Sequence, residues 1–281
     1  MSRLVLAIVT LLALIDSAAA ELVRFRSAAM PPSELAQRLA RERGTPATAA
    51  DGPEITGQLY RPAGNGPFPA LVILHGCDGP HPDRERAGAE QFVAQGYVVL
   101  LVDSFTTRGI KETCSRGFTG TADRVLDALG ALAYLAQTDF VAPDRVAVLG
   151  FSQGAGTALS AVLSGGAADS IHAAQRFAAA VAYYPPCPRS ALSLSAPALI
   201  LIGELDDWTP AADCREMVSL SGGRSGIDLV VFAGAYHAFS AGRLRGKPES
   251  AWGHHLAYDE AAATGAKEKM LQFLARHLGQ R

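Results

Sequence analysis

A strong charge of either sign is missing from this chain. Its 25 Lys and Arg against 27 Asp and Glu leave a formal net charge of −2 over 281 residues. The basic footprint of a nucleic-acid binder has nothing to be built from. Low-complexity runs are few. The apolar run from Leu4 to Ile15 is too short to span a bilayer comfortably, since that takes ~20 residues. Cysteine is scarce: the chain holds Cys77, Cys114, Cys187 and Cys214. None lies near the amino terminus, where a lipid-modified cysteine would sit. No set of side chains forms a convincing metal-ligand cluster, so neither a metal nor an organic cofactor is expected.

What is present is apolar and regular. A hydrophobic content of 49% supports a packed core, and the length suits one large α/β domain. Residues 1–20 read as a secretory signal: Arg3 supplies the positive end, Leu4 to Ile15 the apolar region, and Ala18-Ala19-Ala20 the small-residue cleavage site. The plainer alternative is an uncleaved anchor. The expected mature chain is 21–281, a single domain, secreted or periplasmic, with no stable membrane association after cleavage. The sequence does not specify an oligomeric state. An even cysteine count in an exported chain permits two disulfides, with three pairings open. The topology read below favours Cys187–Cys214 and Cys77–Cys114. Four unpaired, partly buried thiols are the alternative.

Along the chain, apolar strand runs alternate with helical spacing. Leu22 to Arg26 alternates like an edge strand, and Ser33 caps a short helix to Arg43. Ile55 to Tyr60 reads as an antiparallel edge strand. Ala70–Leu74, Tyr97–Val102, Asp144–Leu149, Phe177–Tyr184, Ala198–Ile202 and Ile227–Phe232 read as buried strands. Helices are expected over Arg84–Gln95, Thr121–Gln137 and Asp259–Leu278. Pro210 suits the first turn of a further helix. Buried strands alternating with helices require a mostly parallel sheet with helices on both faces, and ligand sites at the carboxyl ends of its strands.

The pivotal stretch is Gly150-Phe151-Ser152-Gln153-Gly154. A strand that turns sharply into a helix around a serine is a nucleophile elbow. The hydroxyl is lifted above the sheet, and the flanking glycines let strand and helix approach. A serine needs a base within hydrogen-bond reach, and that base needs an orienting acid. Asp206 and His237 both follow strand ends, in the order Ser152, Asp206, His237. Asp206 is preferred to Asp207, which is expected to cap the helix near Thr209. His237 is preferred to its competitor, the His254-His255 pair. His75 is read as fixing the loop ahead of it. The backbone N–H groups of Cys77 and Gln153 are the expected oxyanion hole. Cys77 as nucleophile lacks an elbow. Arg108 is a candidate anchor for a substrate carboxylate, with a solvated loop arginine as the plainer reading. Trp208, with Phe151, Tyr184 and Phe239, is a candidate pocket wall, with core packing as the alternative.

Five stretches in this order resemble the dienelactone hydrolase family: His75-Gly76-Cys77-Asp78-Gly79, Asp103-Ser104-Phe105, Gly150-Phe151-Ser152-Gln153-Gly154, Gly203-Glu204-Leu205-Asp206 and Tyr236-His237-Ala238-Phe239. The resemblance implies an α/β-hydrolase fold, Ser152, Asp206 and His237 as a triad, and the Cys77 and Gln153 amides as the oxyanion hole. Two positions depart from the pattern. The namesake enzymes carry a nucleophilic cysteine where Ser152 stands, which points to a broader carboxylesterase. Similar members carry glycine where Asp78 stands, so the Asp78 carboxylate is expected to face solvent or a basic neighbour.

The combined reading is an exported serine hydrolase of small-molecule carboxylic esters. A peptidase or thioesterase using the same triad is one rival. A binding protein on the same fold, without turnover, is the other.

Overall fold

The computed structural model describes residues 20–30, 32–116, 121–222 and 226–279. The segment read as a signal lies outside them, Ala20 excepted. Eight strands form one sheet: β1 (Glu21–Arg26), β2 (Glu54–Tyr60), β3 (Phe68–Leu74), β4 (Val98–Asp103), β5 (Val141–Phe151), β6 (Ala179–Tyr183), β7 (Ala198–Gly203) and β8 (Ile227–Phe232). Their spatial order is β1-β2-β4-β3-β5-β6-β7-β8. Only β2 runs against the rest, pairing antiparallel with both β1 and β4. From β4 to β8 every pairing is parallel.

The helices are α1 (Glu34–Arg43), α2 (Pro82–Ala94), α3 (Thr121–Ala136), α4 (Gln153–Ala161), α5 (Ala167–Ser170), α6 (Ala211–Ser221) and α7 (Glu260–Leu278). Ser33 caps α1 by accepting from the Ala36 N–H, and Asp259 caps α7 by accepting from Ala262, each satisfying an amide that a helix start leaves free. The continuous apolar runs of β3, β6 and β7 are buried along their whole length, as parallel strands covered by helices on each side require.

Three expectations need correction. Ile55–Tyr60 is not an edge, because β1 pairs along its outer side. Alternating burial occurs equally in a strand one place in from the edge. Pro210 precedes α6 as its cap residue rather than sitting in its first turn. A two-stranded ribbon, β9 (Glu249–Ala251) and β10 (His254–Leu256), was not anticipated.

Parallel alignment brings the carboxyl ends of β3, β5, β6, β7 and β8 to one rim in adjacent order. The segments carrying Cys77, Ser152, Tyr184, Asp206 and His237 leave the sheet there. A cleft of about 340 Å³ lined by Pro69, Tyr97, Leu271 and Ala275 lies at the opposite, amino-terminal end of β3 and β4.

Candidate active site

Ser152 joins β5 directly to α4 and holds φ 52°, ψ −118°. A side chain at positive φ is costly by about 1–3 kcal/mol and persists only where surroundings impose it. Here two close approaches impose it. A Cβ on Gly150 would stand 2.0 Å from the Gly154 carbonyl oxygen, and one on Gly154 would stand 2.4 Å from the carbonyl oxygens of Leu74 and His75. Strand β5, helix α4 and the end of β3 therefore meet with no room for side chains.

The sequence-predicted groups converge on this serine. His237 Nε2 lies 3.1 Å from Ser152 Oγ, and His237 Nδ1 lies 2.7 Å from Asp206 Oδ2. All three residues are buried. The Asp206 carboxylate is held on both oxygens. Oδ1 accepts the N–H groups of Trp208 and Thr209, and Oδ2 accepts the Thr209 hydroxyl as well as facing His237. With the imidazole donating from Nδ1, Nε2 is left to accept from the serine. Tyr184, at φ 43° after β6, packs its ring 4.8 Å from His237.

Asp207 does not cap the helix near Thr209. Its carboxylate accepts the His255 N–H and lies near the His254 ring. The turn amides that a cap would serve are taken by Asp206 instead. The competitor histidines thus belong to β10 and pack on Asp207, not on Ser152.

Gln153 is the first residue of α4, so its N–H is among those a helix leaves without an internal acceptor. Among the described residues, the Cys77 N–H has no acceptor, while its carbonyl accepts from the Thr113 N–H. Cys77 is bonded to Cys114, and Cys187 to Cys214; these are the two favoured pairings. Asp78 faces basic neighbours, with Oδ2 2.9 Å from His81 Nε2 and 3.5 Å from Arg84.

His75 fixes its loop as expected. Its Nδ1 donates to the Gly76 carbonyl and its Nε2 receives the Ser104 N–H. Burial, aided by the nearby Arg124 cation, pushes its pKa well below the ordinary 6.5. Arg108 is placed differently from a substrate anchor. Its terminal nitrogens meet both oxygens of Asp127 at 2.8 Å, and one also meets the Ser104 carbonyl. Trp208 stacks on His254 at 4.8 Å and lies 5.1 Å from His237. Phe151 and Phe239 pack with Tyr183 and Tyr184.

Sequence reasoning missed Thr209, Thr113 and Arg124. The signal for Arg124 was present. It falls in phase with Ala128, Ala131 and Leu135, the buried stripe of α3, where a charged residue needs a reason.

Residues 55–278 match the model of the dienelactone hydrolase family. Among curated proteins, the quorum-quenching protein AidA of Acinetobacter baumannii is 35% identical over 102 residues, 36% of this chain and 33% of that protein. The esterase FrsA of Shigella boydii is 33% identical over 116 residues, 40% of this chain and 26% of that protein. These matches span only a quarter to a third of the relatives' own lengths. Among solved structures, a putative dienelactone hydrolase from Klebsiella pneumoniae superposes with a TM-score of 0.61 at 17% identity, covering 91% of this chain and 99% of that one. The esterase Est2 of Thermogutta terrifontis superposes with a TM-score of 0.59 at 19% identity, covering 80% and 88%. At such identities the likeness is one of fold.

Proposed function

The chain belongs to the dienelactone hydrolase family, and on that footing we propose that it is an exported serine hydrolase of small-molecule carboxylic esters. One observation carries this reading: the continuous contact from Asp206 through His237 to Ser152 at a buried strand rim. In the proposed reaction, Ser152 Oγ attacks the ester carbonyl carbon while His237 Nε2 takes the hydroxyl proton. The Asp206 carboxylate stabilises the imidazolium and keeps its Nδ1–H in place. The Cys77 and Gln153 amides receive the developing oxyanion. Collapse of the tetrahedral intermediate expels the alkoxide, which takes the proton back from His237. Water, activated by the same imidazole, then releases the acid and restores Ser152. A serine in place of the family's nucleophilic cysteine favours a general esterase over a dienelactone-specific one.

Export rests on separate support. Disulfides persist in oxidising compartments, and this chain forms two. The proposed cleavage after Ala20 leaves β1 starting at the new terminus, Glu21.

Covalent labelling tests the chemistry. A fluorophosphonate should label the wild-type protein on Ser152, and Ser152→Ala should abolish both labelling and nitrophenyl-ester hydrolysis. A wild-type protein that neither labels nor turns over would sink the reading in favour of a binding protein. A panel of nitrophenyl esters, acyl thioesters and peptides decides between esterase, thioesterase and peptidase.

A further inference from the structure

Beneath the proposed oxyanion hole lies a cation that the triad chemistry does not use. Arg124 leaves α3 on its buried face and is 3% exposed. One terminal nitrogen donates to the His75 carbonyl at 2.6 Å, and the other to Gln153 Oε1 at 2.8 Å. A single planar guanidinium thus bridges the segment that leads into Cys77 and the residue that follows Ser152. Thr113 closes the ring from the far side: its hydroxyl also donates to Gln153 Oε1, and its N–H to the Cys77 carbonyl. The disulfide to Cys114 anchors that same loop.

Among the described residues no carboxylate forms an ion pair with this group, although the field of Asp127 favours its charge. The neighbouring carboxylate, Asp127, is fully buried and spends both oxygens on Arg108. Arg124 Nε has no hydrogen-bond partner among the described residues, and the Phe105 ring lies 5.1 Å from its guanidinium carbon. Burial lowers its pKa only to about 10, so it stays cationic at neutral pH. Burying an arginine is expensive, and an apolar or neutral side chain would commonly serve stability as well or better. A neutral donor would hold the Gln153 side chain. What a cation adds is a fixed positive field in a water-poor site, the setting in which preorganised charge acts most strongly on a developing oxyanion.

We propose that Arg124 is a positioning residue of the oxyanion hole: its guanidinium locks the Cys77 turn to Gln153 and supplies standing positive charge on their buried side. This inference rests on the serine-hydrolase reading above. Its test starts from wild-type enzyme that labels with fluorophosphonate and hydrolyses esters; failure at that point removes the reading and the inference together. With active wild type in hand, Arg124→Met and Arg124→Lys are compared for kcat, KM, thermal unfolding and binding of an aryl trifluoromethyl ketone. That ketone adds Ser152 Oγ to its carbonyl carbon and places a tetrahedral oxyanion in the hole.

For Arg124→Met, kcat should fall about 10- to 100-fold, less than the 10²–10³ seen on deleting an oxyanion donor outright. The ketone should weaken by the same factor, with KM within about threefold of wild type. Arg124→Lys should recover part of both losses. If Arg124→Met does not fold, Arg124→Lys decides alone: kcat and ketone affinity should fall together, by about 3- to 10-fold, at unchanged KM. Wild-type kcat and ketone affinity in Arg124→Lys, or in a folded Arg124→Met, would overturn the proposal. So would a loss carried by KM with ketone binding unchanged.

Discussion

Two adjacent carboxylates, Asp206 and Asp207, end up in opposite environments. Asp206 is buried with both oxygens occupied, while Asp207 lies half-exposed and ties down His255. Asp206→Asn should therefore lose about 10³–10⁴ in kcat, because an amide nitrogen can replace the acceptor and invert the imidazole tautomer. Asp207→Asn should stay within about threefold of wild type, since exposed pairs contribute little. Equal losses in the two variants would assign the acid wrongly. From sequence, strand proximity put Asp206 ahead of Asp207 but could not foresee what Asp207 does, because its partner lies in a hairpin far along the chain. Arg108 was illegible for the same reason. A loop arginine and a helix aspartate in phase with buried alanines gave no sign of pairing until the fold brought them together. Glu85 carries a separate prediction. Burial, reinforced by the Asp78 and Asp103 carboxylates, raises its pKa from 4.5 to about 7, against the opposing His81 amide. The folded state then holds a proton that the unfolded state has released, so its contribution to stability falls as pH rises from about 4.5 through 7. Glu85→Gln should raise Tm relative to wild type at pH 8 and not at pH 5. A Tm difference that is constant with pH would refute the assignment.

At the scale of elements, the strand–helix junctions are the parts most strongly specified. Gly154→Ala would drive a Cβ against two backbone carbonyls, which cannot rotate away. The expected cost is at least about 3 kcal/mol, or a Tm lower by about 5 to 10 °C. Gly88, inside α2, has open space around its missing Cβ. Gly88→Ala should leave Tm unchanged or raise it, with a helix-propensity gain near 1 kcal/mol. Paired calorimetric scans separate a glycine required by contact from one that is incidental. The central strands were readable because burial on both faces produces unbroken apolar runs. The β9–β10 ribbon was not, because three-residue strands are too short to show a period of two. Its Trp252-Gly253 turn has φ of 50° and 85° at the central residues, as in a type I′ hairpin. The ribbon matters to the site. It carries Leu256, bridged to His237, and Trp252, whose ring packs tilted against Trp208 with centroids 5.6 Å apart. The surroundings of His237 and Trp208 are therefore shaped in part by the very segment whose conformation the sequence left open.

For the molecule as a whole, both cross-links sit at the carboxyl-terminal rim of the sheet rather than across the core. Cys77–Cys114 fastens the loop after β4 to the turn after β3, and Cys187–Cys214 fastens the exit of β6 to α6. Each encloses a stretch of the unfolded chain, with sequence separations of 37 and 27. Loop-closure entropy assigns such spans about 3.5–4 kcal/mol apiece in the chain-entropy model. A whole domain commonly has only about 5–15 kcal/mol of net stability. Losing both bridges should thus lower Tm by about 10 to 20 °C. The first bridge should affect chemistry as well, since it anchors the loop whose Thr113 holds both the Cys77 carbonyl and Gln153. Reduction below the unfolding temperature should therefore cut kcat before it cuts far-ultraviolet circular dichroism. Cys187→Ser with Cys214→Ser should lose stability while keeping kcat near wild type; Cys77→Ser with Cys114→Ser should lose both. If the two double variants lose kcat to the same degree, or neither loses Tm, the rim is not organised by its cross-links, and the dependence on an oxidising compartment falls with it.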